Sequence, residues 1–282
     1  MMIVSTRSSV RIADLYFDEQ PVPGLDADIV RYNQSPTRVA GAVCTPFPTI
    51  VLDLLQSPEE MLAKMKQHTR YKIRRGAEAA RKGEINYVFS ADGDSNAIRQ
   101  FADHFDRCAA LKDLPKASRE RLSILGGRGA LDVSFIRDGS GEILAASSYI
   151  LTPSRVRGLY AGVGHRATSD HSRRTQIGYA NRFLYWSDIL RFRNAGIRYF
   201  DFGGYYTGSE DEEKLRVNGF KAEFGGVVRN EFNCELPVTL KGRVALWFLH
   251  RRKRRFWQKR AANNGPMIRT QEQHESSVPA SI

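Results

Sequence analysis

The sequence predicts one mixed α/β domain of the α+β type, in which a central mixed sheet is flanked by helices. A chain of 282 residues, of which 41% are hydrophobic, can bury a substantial core. Strand and helix patterns follow one another as strand, helices, several antiparallel strands, a long helix and two further strands. This order is typical of a single sheet covered by helices.

The first predicted elements follow an irregular N-terminal lead-in, residues 1–48, which proline and glycine interrupt. Thr49–Leu54 predicts a short buried strand. The capping box Ser57-Pro58-Glu59-Glu60 then starts a helical run, because serine accepts at the cap and proline fits the first helical position. The run continues with a break to about residue 81, and Gly83 ends it.

Helices and strands alternate through the rest of the domain. Asp94–Leu111 carries apolar residues at helical spacing, a shorter helix follows Lys116, and a long helix runs from about Arg173 to Ala195. Strands are predicted at 84–90, 131–137, 142–152, 155–161, 198–202 and 227–235. The folded domain is therefore expected at 49–240, followed by a basic amphipathic segment at 241–262 and a disordered tail at 263–282.

The cysteines and the chain start predict a cytoplasmic protein. Cys44, Cys108 and Cys234 are odd in number and far apart, so we expect no disulfide framework and a reducing compartment. The first residues lack the apolar core of a signal peptide, and no stretch approaches 18 apolar residues. The expected location is the cytoplasm, with peripheral attachment to the inner face of the membrane.

The positive charge is concentrated in two windows. The chain has a net charge of +12, but residues 64–82 carry +7 and residues 241–260 carry +9, so the remainder is acidic. Such placement favours an anionic partner, whereas a solvated helix face and a basic tail are the simpler alternative. In the first window, Arg70 and Arg74 are one helical turn apart on one face, Arg75 lies at its edge, and all three are predicted to bind the phosphates of a donor.

Sequence motifs for an enzyme nucleophile or a metal are absent. The sequence has no G-x-S-x-G, no H-E-x-x-H, no Walker loop and no G-x-G-x-x-G. Its six histidines form no ligand pattern, so we assign no metal. A second anion site is predicted where the long helix begins, because Arg173 and Arg174 lie at free N–H groups and Gly178 leaves space for a ligand. A capped surface helix explains that segment nearly as well.

The most specific segment is Arg198–Gly226, RYFDFGGYYTGSEDEEKLRVNGFKAEFGG. Asp201 ends a strand, and Gly203, Gly204 and Tyr205 follow at once. Glycines after a strand expose backbone N–H groups, which predicts an oxyanion-binding loop. An acidic surface loop is the alternative for residues 209–214.

The order of these motifs resembles the Fem-type peptidyltransferases and their acyl-CoA-using relatives, the BioF2-like acetyltransferases, both of the GNAT fold. The resemblance covers roughly residues 50–235. It rests on the arginine-rich helix of residues 70–83, the long helix, Asp-Phe-Gly-Gly at 201–204 and G-F-K-x-x-F-G-G at 219–226.

The resemblance implies that an amine acceptor attacks an activated carbonyl directly, without an enzyme nucleophile. It implies that Phe220 stacks on the donor end and that Lys221 binds phosphate or polarises the carbonyl. Asp201 is expected to position the loop or accept a proton. No bound cofactor is expected; acyl-CoA, or alternatively aminoacyl-tRNA, serves as co-substrate.

The basic segment suggests a second partner. Val244–Leu249 is apolar, and Arg251–Arg255 with Phe256-Trp257 follows. This pattern suits an anionic membrane surface, and it suits an RNA backbone as well. Packing of the apolar residues on the domain is the alternative. No DNA partner is expected.

Three functions remain open from the sequence. The first is an N-acyltransferase that prefers acyl-CoA and acts on an amine of a cell-envelope glycan, a lipid-linked precursor or a related small molecule. The second is an aminoacyl-tRNA-dependent, Fem-like transferase that acts on a peptidoglycan precursor or a peptide metabolite. The third is a non-catalytic RNA- or membrane-binding protein. The Phe-Lys motif favours an enzyme, because a pure binding protein does not need it.

Overall fold

The computed structural model contains one ten-stranded mixed sheet and seven helices within the residues that it describes. These are residues 2–7, 9–17, 19–21, 24–90, 93–164 and 168–263, with side chains described except at 7 and 252–263. The strands are β1 (Met2–Arg7), β2 (Val10–Tyr16), β3 (Ile29–Ser35), β4 (Val43–Asp53), β5 (Ile85–Ser90), β6 (Leu131–Asp138), β7 (Ile143–Leu151), β8 (Arg155–Val163), β9 (Tyr199–Gly204) and β10 (Val227–Pro237). The helices are α1 (Pro58–Lys64), α2 (Gln67–Arg81), α3 (Ser95–Ala110), α4 (Arg119–Gly126), α5 (His171–Asn194), α6 (Glu212–Ala222) and α7 (Leu240–Asn263).

The sheet order leaves a split between two central strands. The strands lie side by side as β1-β2-β3-β10-β4-β9-β8-β7-β6-β5, and only the β2–β3 and β8–β9 pairs are parallel. The β8–β9 pairing is short, from Arg155 opposite Tyr199 to Arg157 opposite Asp201. Beyond it β8 continues against β7 and β9 continues against β4. The ladder between the two strands therefore ends before their carboxyl ends, and we call this place the split.

Both faces of the sheet are covered, because alternate residues of a strand point to opposite faces. Phe135 of β6 packs with Phe101 of α3 and Leu122 of α4. The next residue, Ile136, packs instead with α5 through Leu184. A third cluster joins the central strands to α1 and α5 through buried side chains: Ile50, Leu52, Met61, Ile189, Phe200 and Phe224. The architecture is the predicted mixed sheet between helices.

The local signals place the predicted helices as expected. Ser57 accepts from the Glu60 N–H, and the Glu60 carboxylate accepts from the Ser57 N–H, which completes the capping box of α1. The predicted break is the extended pair Met65–Lys66, which ends α1 and begins α2.

Two segments predicted as irregular are in fact regular. The lead-in contains β1, β2 and β3, and β3 pairs with β10 near the other end of the chain. Its strands are short and lie between proline and glycine residues, so the alternation of apolar residues is hard to recognise. The acidic loop is the start of α6, where Asp211 caps the helix by accepting from the Lys214 N–H at 3.0 Å. Acids in a first turn stabilise a helix through its dipole. The predicted disordered tail falls, from residue 264 on, outside the described residues.

The predicted absence of a disulfide is wrong. Cys44 of β4 lies directly opposite Cys234 of β10, and their Sγ atoms are bonded. The partners are 190 residues apart, and only the register of two distant strands brings them together. Because of this bond, the cysteine count no longer argues for a reducing compartment. Cys108 is a free thiol and is buried.

The apolar part of the basic segment is divided between core and surface in α7. Leu246 is buried against Ile12 and Ile29. Gly242 lies so close to the Asp28 carbonyl that a Cβ would meet its oxygen at 2.0 Å. The other side of the helix exposes its apolar residues: Val244, Trp247 and Phe248 are 56%, 54% and 56% exposed. None of the helices in the described ranges is long and apolar enough to span a membrane.

The close packing of α2 on α5 depends on Gly76, and Gly76→Ala tests it. A Cβ at this position would lie 2.4 Å from the Phe183 Cβ, so the helices must separate. We expect a loss of about 1–2 kcal/mol in the free energy of unfolding, although alanine has the higher helix propensity. Chemical denaturation measures it. Gly219→Ala in α6 is the matched control, because nothing lies within 4 Å there and stability should hold or rise. Equal stability of both variants would contradict this packing.

Candidate functional site

Asp201, at the last residue of the β8–β9 pairing, is fully enclosed and fully bonded. Its Oδ1 accepts from the Thr49 hydroxyl and, at 2.8 Å, from the Gly203 N–H. Its Oδ2 accepts from Gln34 Nε2 at 2.8 Å and from Arg155 Nη2 at 2.6 Å. The residue is 0% exposed. With four donors around it, this carboxylate holds the end of β9 in place and has no acceptor position left for a substrate proton.

Arg155 joins Asp201 to a second buried carboxylate on β10. Its Nη1 donates to Glu231 Oε1 at 2.8 Å and its Nη2 donates to Glu231 Oε2 at 2.9 Å. The guanidinium also lies 4.3 Å over the Phe17 ring. Burial by itself lowers the pKa of Arg155, but the hydrogen bonds to Glu231 and the charge of Asp201 outweigh it and hold that pKa above its usual value. These contacts fix β8, β9 and β10 to one another beneath the split.

Lys221 reaches the mouth of the split from α6. Its Nζ donates to the carbonyl of Gly204 at 2.5 Å and, more weakly, to that of Gly203 at 3.3 Å. An ammonium has three hydrogens, so one remains for a ligand. Burial lowers the pKa of Lys221 to about 8; the charge of Asp201 opposes the shift and that of Arg157 adds to it. The side chain is therefore a cation at neutral pH that loses its proton readily.

Phe220 lies beside Lys221 in an aromatic cluster. Its ring is 5.4 Å from both the Tyr185 and the Phe224 rings, and the Arg182 guanidinium lies 5.1 Å over it. Arg182 in turn donates to Glu223 at 2.8 Å. The structure thus brings Phe220, Lys221 and the end of β9 together.

The side of α2 that reaches this region is not the one predicted. The Thr69 hydroxyl donates to Glu223 at 2.9 Å. Lys72 is half-buried, and burial together with the charge of Arg182 lowers its pKa. Glu223 partly opposes that effect. Lys72 is therefore the cation of the first basic window that lies in the Arg182–Glu223 environment beside Phe220.

The three predicted arginines of α2 do not lie with Lys221. Arg70 donates to the Met65 carbonyl at 2.7 Å and so closes the end of α1. Arg70 and Arg74 both line a separate cavity of about 640 Å³ between α2 and α5, which Phe183 and Trp186 also line. Arg75 pairs with Glu78 at 3.3 Å. Spacing along a helix predicts which residues share a face, but the packing of α2 on α5 decides where that face points.

The predicted anion site at the start of α5 is occupied by the chain's own carboxylates. The Asp170 side chain accepts from the N–H groups of Ser172 and Arg173 and caps the helix. Arg173 pairs with Glu142 and, at 2.6 Å, with Asp138. Arg174 donates to a neighbouring carbonyl, and Gly178 is buried within the helix. The capped-helix alternative fits this segment.

Two of the three predicted backbone donors of the glycine loop are already bonded. The Gly203 N–H is bonded to Asp201, and the Tyr205 N–H donates to the Pro48 carbonyl at 2.7 Å. The loop instead contributes acceptors, because the carbonyls of Gly203 and Gly204 accept hydrogen bonds from Lys221. One group that can donate to an oxyanion here is the Lys221 ammonium.

Several residues at the site escaped the sequence interpretation. Arg155, Glu231 and Gln34 come from three distant strands, and no motif contains them. Arg155 and Arg157 stand at alternate positions of one predicted strand. This pattern could have indicated buried ion pairs, because charged residues are rarely placed in a central strand without a partner.

Solved structures that are similar in overall fold support the predicted fold. FemX is 13% identical over 66% of this chain and 61% of its own, with a TM-score of 0.53, so the similarity spans about three fifths of that protein. The C-terminal domain of a putative lysylphosphatidylglycerol synthetase from Agrobacterium fabrum is 15% identical over 87% of this chain and 83% of its own, with a TM-score of 0.51. The structure of L-PGS from Bacillus licheniformis is 11% identical over 89% and 84%, with a TM-score of 0.50.

No protein-family model and no curated protein sequence matches the chain. At these identities the structural similarities establish the fold alone. They confirm the prediction of a Fem-like fold of the GNAT type, with its mixed sheet between helices.

Proposed function

We propose that this protein is an acyltransferase that joins an acyl group from an activated donor to an amine. The observation that carries the proposal is the Lys221 ammonium at the β8–β9 split. It is held there by two carbonyls, with one hydrogen free for a ligand and the Phe220 ring beside it. The similarity in fold to FemX and to L-PGS supports it.

The proposed reaction needs no covalent enzyme intermediate. The acceptor nitrogen attacks the donor carbonyl carbon, a C–N bond forms, and the C–S or C–O bond to the leaving group breaks. The carbonyl oxygen gains negative charge, which Lys221 stabilises by donating a hydrogen bond. The surplus proton of the amine passes to the leaving group or to water. Cys108 is no alternative nucleophile, because burial raises the pKa of its thiol.

Two donor classes fit this chemistry. Acyl-CoA is the donor expected from the sequence, and it needs an anion site for its pyrophosphate. The second class, an aminoacyl-tRNA, is favoured because Asp170 and Asp138, the chain's own carboxylates, hold the helix cap and Arg173 at the pyrophosphate site predicted for the start of α5. The name of the lysylphosphatidylglycerol synthetase also describes transfer of an aminoacyl group. The proposed acceptor is an amine of an envelope precursor, a lipid-linked intermediate or a related small molecule.

Thermal shift separates the donor classes. We expect one class, acyl-CoA or charged tRNA, to raise the melting temperature of the full chain, and Lys221→Met to reduce that rise. Uncharged tRNA and free CoA are the controls for the acyl group. Stabilisation by acyl-CoA and not by charged tRNA would exclude the second donor. If neither class shifts the melting temperature, the proposed function is wrong.

Attachment to an anionic membrane is a second part of the proposal. The exposed residues Trp247 and Phe248 are adjacent on α7 and lie about one helical turn after Val244, and the basic run from Arg251 follows them. Aromatic residues beside cations bind the headgroup region of anionic bilayers. A non-catalytic membrane- or RNA-binding protein would use the same surface.

Replacing Trp247 and Phe248 by serine tests the surface. We expect at least a tenfold loss of binding to vesicles that contain anionic lipid, because both rings are exposed and neither fills the core. Co-sedimentation measures the binding. The difference between binding to anionic vesicles and binding to neutral vesicles gives the electrostatic contribution to the affinity. Leu55→Ser with Leu114→Ser is the matched control, since these residues are 69% and 51% exposed elsewhere. Unchanged vesicle binding, or binding of RNA alone, would exclude the membrane surface.

A further inference from the structure

Arg157 is the last residue of β8 that pairs with β9. Its guanidinium lies 5.0 Å over the Phe47 ring of β4. Phe47 also lies 3.3 Å from where a Cβ of Gly204 would be. Arg157 therefore lies beside the same strand end that Lys221 reaches.

Arg157 has no hydrogen-bonding partner among the residues that the structure describes. Its Nε is buried and unbonded. Asp201 lies opposite in the strand register, but its oxygens already accept from Thr49, Gly203, Gln34 and Arg155. Arg157 itself is half-buried, and enclosing part of a guanidinium without an acceptor is costly, so such a group normally meets an anion.

The groups that surround Arg157 strengthen this argument. Burial lowers the pKa of Arg157, and the neighbouring charges of Arg121 and Arg155 lower it further, against the attraction of Asp201 and Tyr16. Arg121 donates to the Tyr16 hydroxyl at 3.2 Å and to no carboxylate within the described part of the chain. The charge of Arg157 also helps to lower the pKa of Lys221. Cations thus converge here, and the acids among them are already paired with Arg155.

Arg155 and Arg157 differ in their bonding, and this difference separates a structural arginine, Arg155, from Arg157, which is left for a ligand. Arg155 precedes Arg157 by two residues, so both side chains point to the same face of β8. Arg155 makes three charge-assisted bonds to Asp201 and Glu231. Arg157 makes none, although a guanidinium can bind both oxygens of a planar carboxylate or of a phosphate.

We propose that Arg157, with Lys221 beside it, forms a binding site for an oxyanion of the substrate, a carboxylate or a phosphate. That the anion belongs to a substrate rests on the proposed function. The anion site itself does not, because anion binding can be measured without any acyl transfer. A substrate held there would lie in the split, next to the ammonium that stabilises the reacting carbonyl.

Calorimetric titration of the full chain with inorganic phosphate and with acetate, at constant ionic strength, tests the site. We expect one of the two anions to bind and Arg157→Gln to weaken that binding at least tenfold. Binding of phosphate identifies a phosphate site, and binding of acetate a carboxylate site. Arg38→Gln is the matched control, because Arg38 also lies over a phenylalanine ring, 4.8 Å from Phe232, but is exposed. It should change the affinity by less than twofold.

Thermal melting shows whether a loss of anion binding in Arg157→Gln comes from misfolding of the variant. Without ligand, Arg157→Gln should melt at or above the wild-type temperature, since it removes an unpaired charge, and phosphate or acetate should then fail to stabilise it. The site is excluded if neither anion binds the wild type, if Arg157→Gln binds as tightly, or if Arg38→Gln loses as much affinity. Anion binding with no acyl transfer from any donor would retain the site and reject the proposed function.

Discussion

Lys221→Met should lower kcat/KM for acyl transfer by about 10²–10³-fold, the usual effect of removing one donor to a developing oxyanion. The substitution keeps the length and apolar stem of the side chain but removes the charge. Folding should change little, because the partners of Nζ within the described ranges are the Gly203 and Gly204 carbonyls at the mouth of the split. Initial rates under subsaturating donor, with the melting temperature as the folding check, measure the effect.

The pH dependence of Lys221 separates a catalytic cation from a structural one. Since the charged form is needed and burial places its pKa at about 8, kcat/KM should fall as the pH rises through about 8. In Lys221→Arg, whose guanidinium stays charged, this falling limb should move beyond pH 10. If kcat/KM of Lys221→Arg falls at the same pH as that of the wild type, or if Lys221→Met keeps near-normal activity, Lys221 takes no part in the reaction.

Arg155→Met should destabilise the fold by about 3–5 kcal/mol, because it leaves two buried carboxylates without their cation. Asp201 and Glu231 are 0% and 5% exposed, so water cannot replace the lost guanidinium without local unfolding. Urea denaturation followed by circular dichroism measures the free energy of unfolding.

Arg157→Met is the matched control for this prediction. It makes the same chemical change two residues further along β8, where no hydrogen bond is lost. We expect its free energy of unfolding to stay within about 1 kcal/mol of the wild type. Equal destabilisation by both substitutions would show that any loss of an arginine from β8 destabilises the fold, and that the bonds of Arg155 to Asp201 and Glu231 are not the cause.

The fold was largely predictable because its signals are local. The Ser57 capping box, the stop at Gly83 and the long amphipathic helices depend on residues close in sequence, and the structure forms them. The N-terminal strands and the Cys44–Cys234 bond were not predictable in this way. They depend on β3 and β4 pairing with β10, about 200 residues later, and no local pattern encodes that register.

The candidate site was predictable only in part, for the same reason. Phe220, Lys221 and Asp201 belong to short motifs, and the structure places them at one strand end. The arginines of α2 were predicted from their concentrated charge and those of α5 from their place at a helix start, but the contacts of both sets depend on helix packing and on acids supplied by other elements. Arg173, for example, is neutralised by Asp138 at the end of β6, 35 residues earlier.

The central claim, acyl transfer to an amine with Lys221 at the donor carbonyl, is tested most directly by amine-dependent consumption of donor. Thiol release from acyl-CoA and deacylation of charged tRNA are followed with a panel of amines, for the wild type and Lys221→Met. We predict that the wild type consumes one donor class faster when an amine is present, that the amide product forms in equal amount, and that Lys221→Met loses at least 99% of this rate. Donor consumption that no amine accelerates, or that survives in Lys221→Met, would contradict the account.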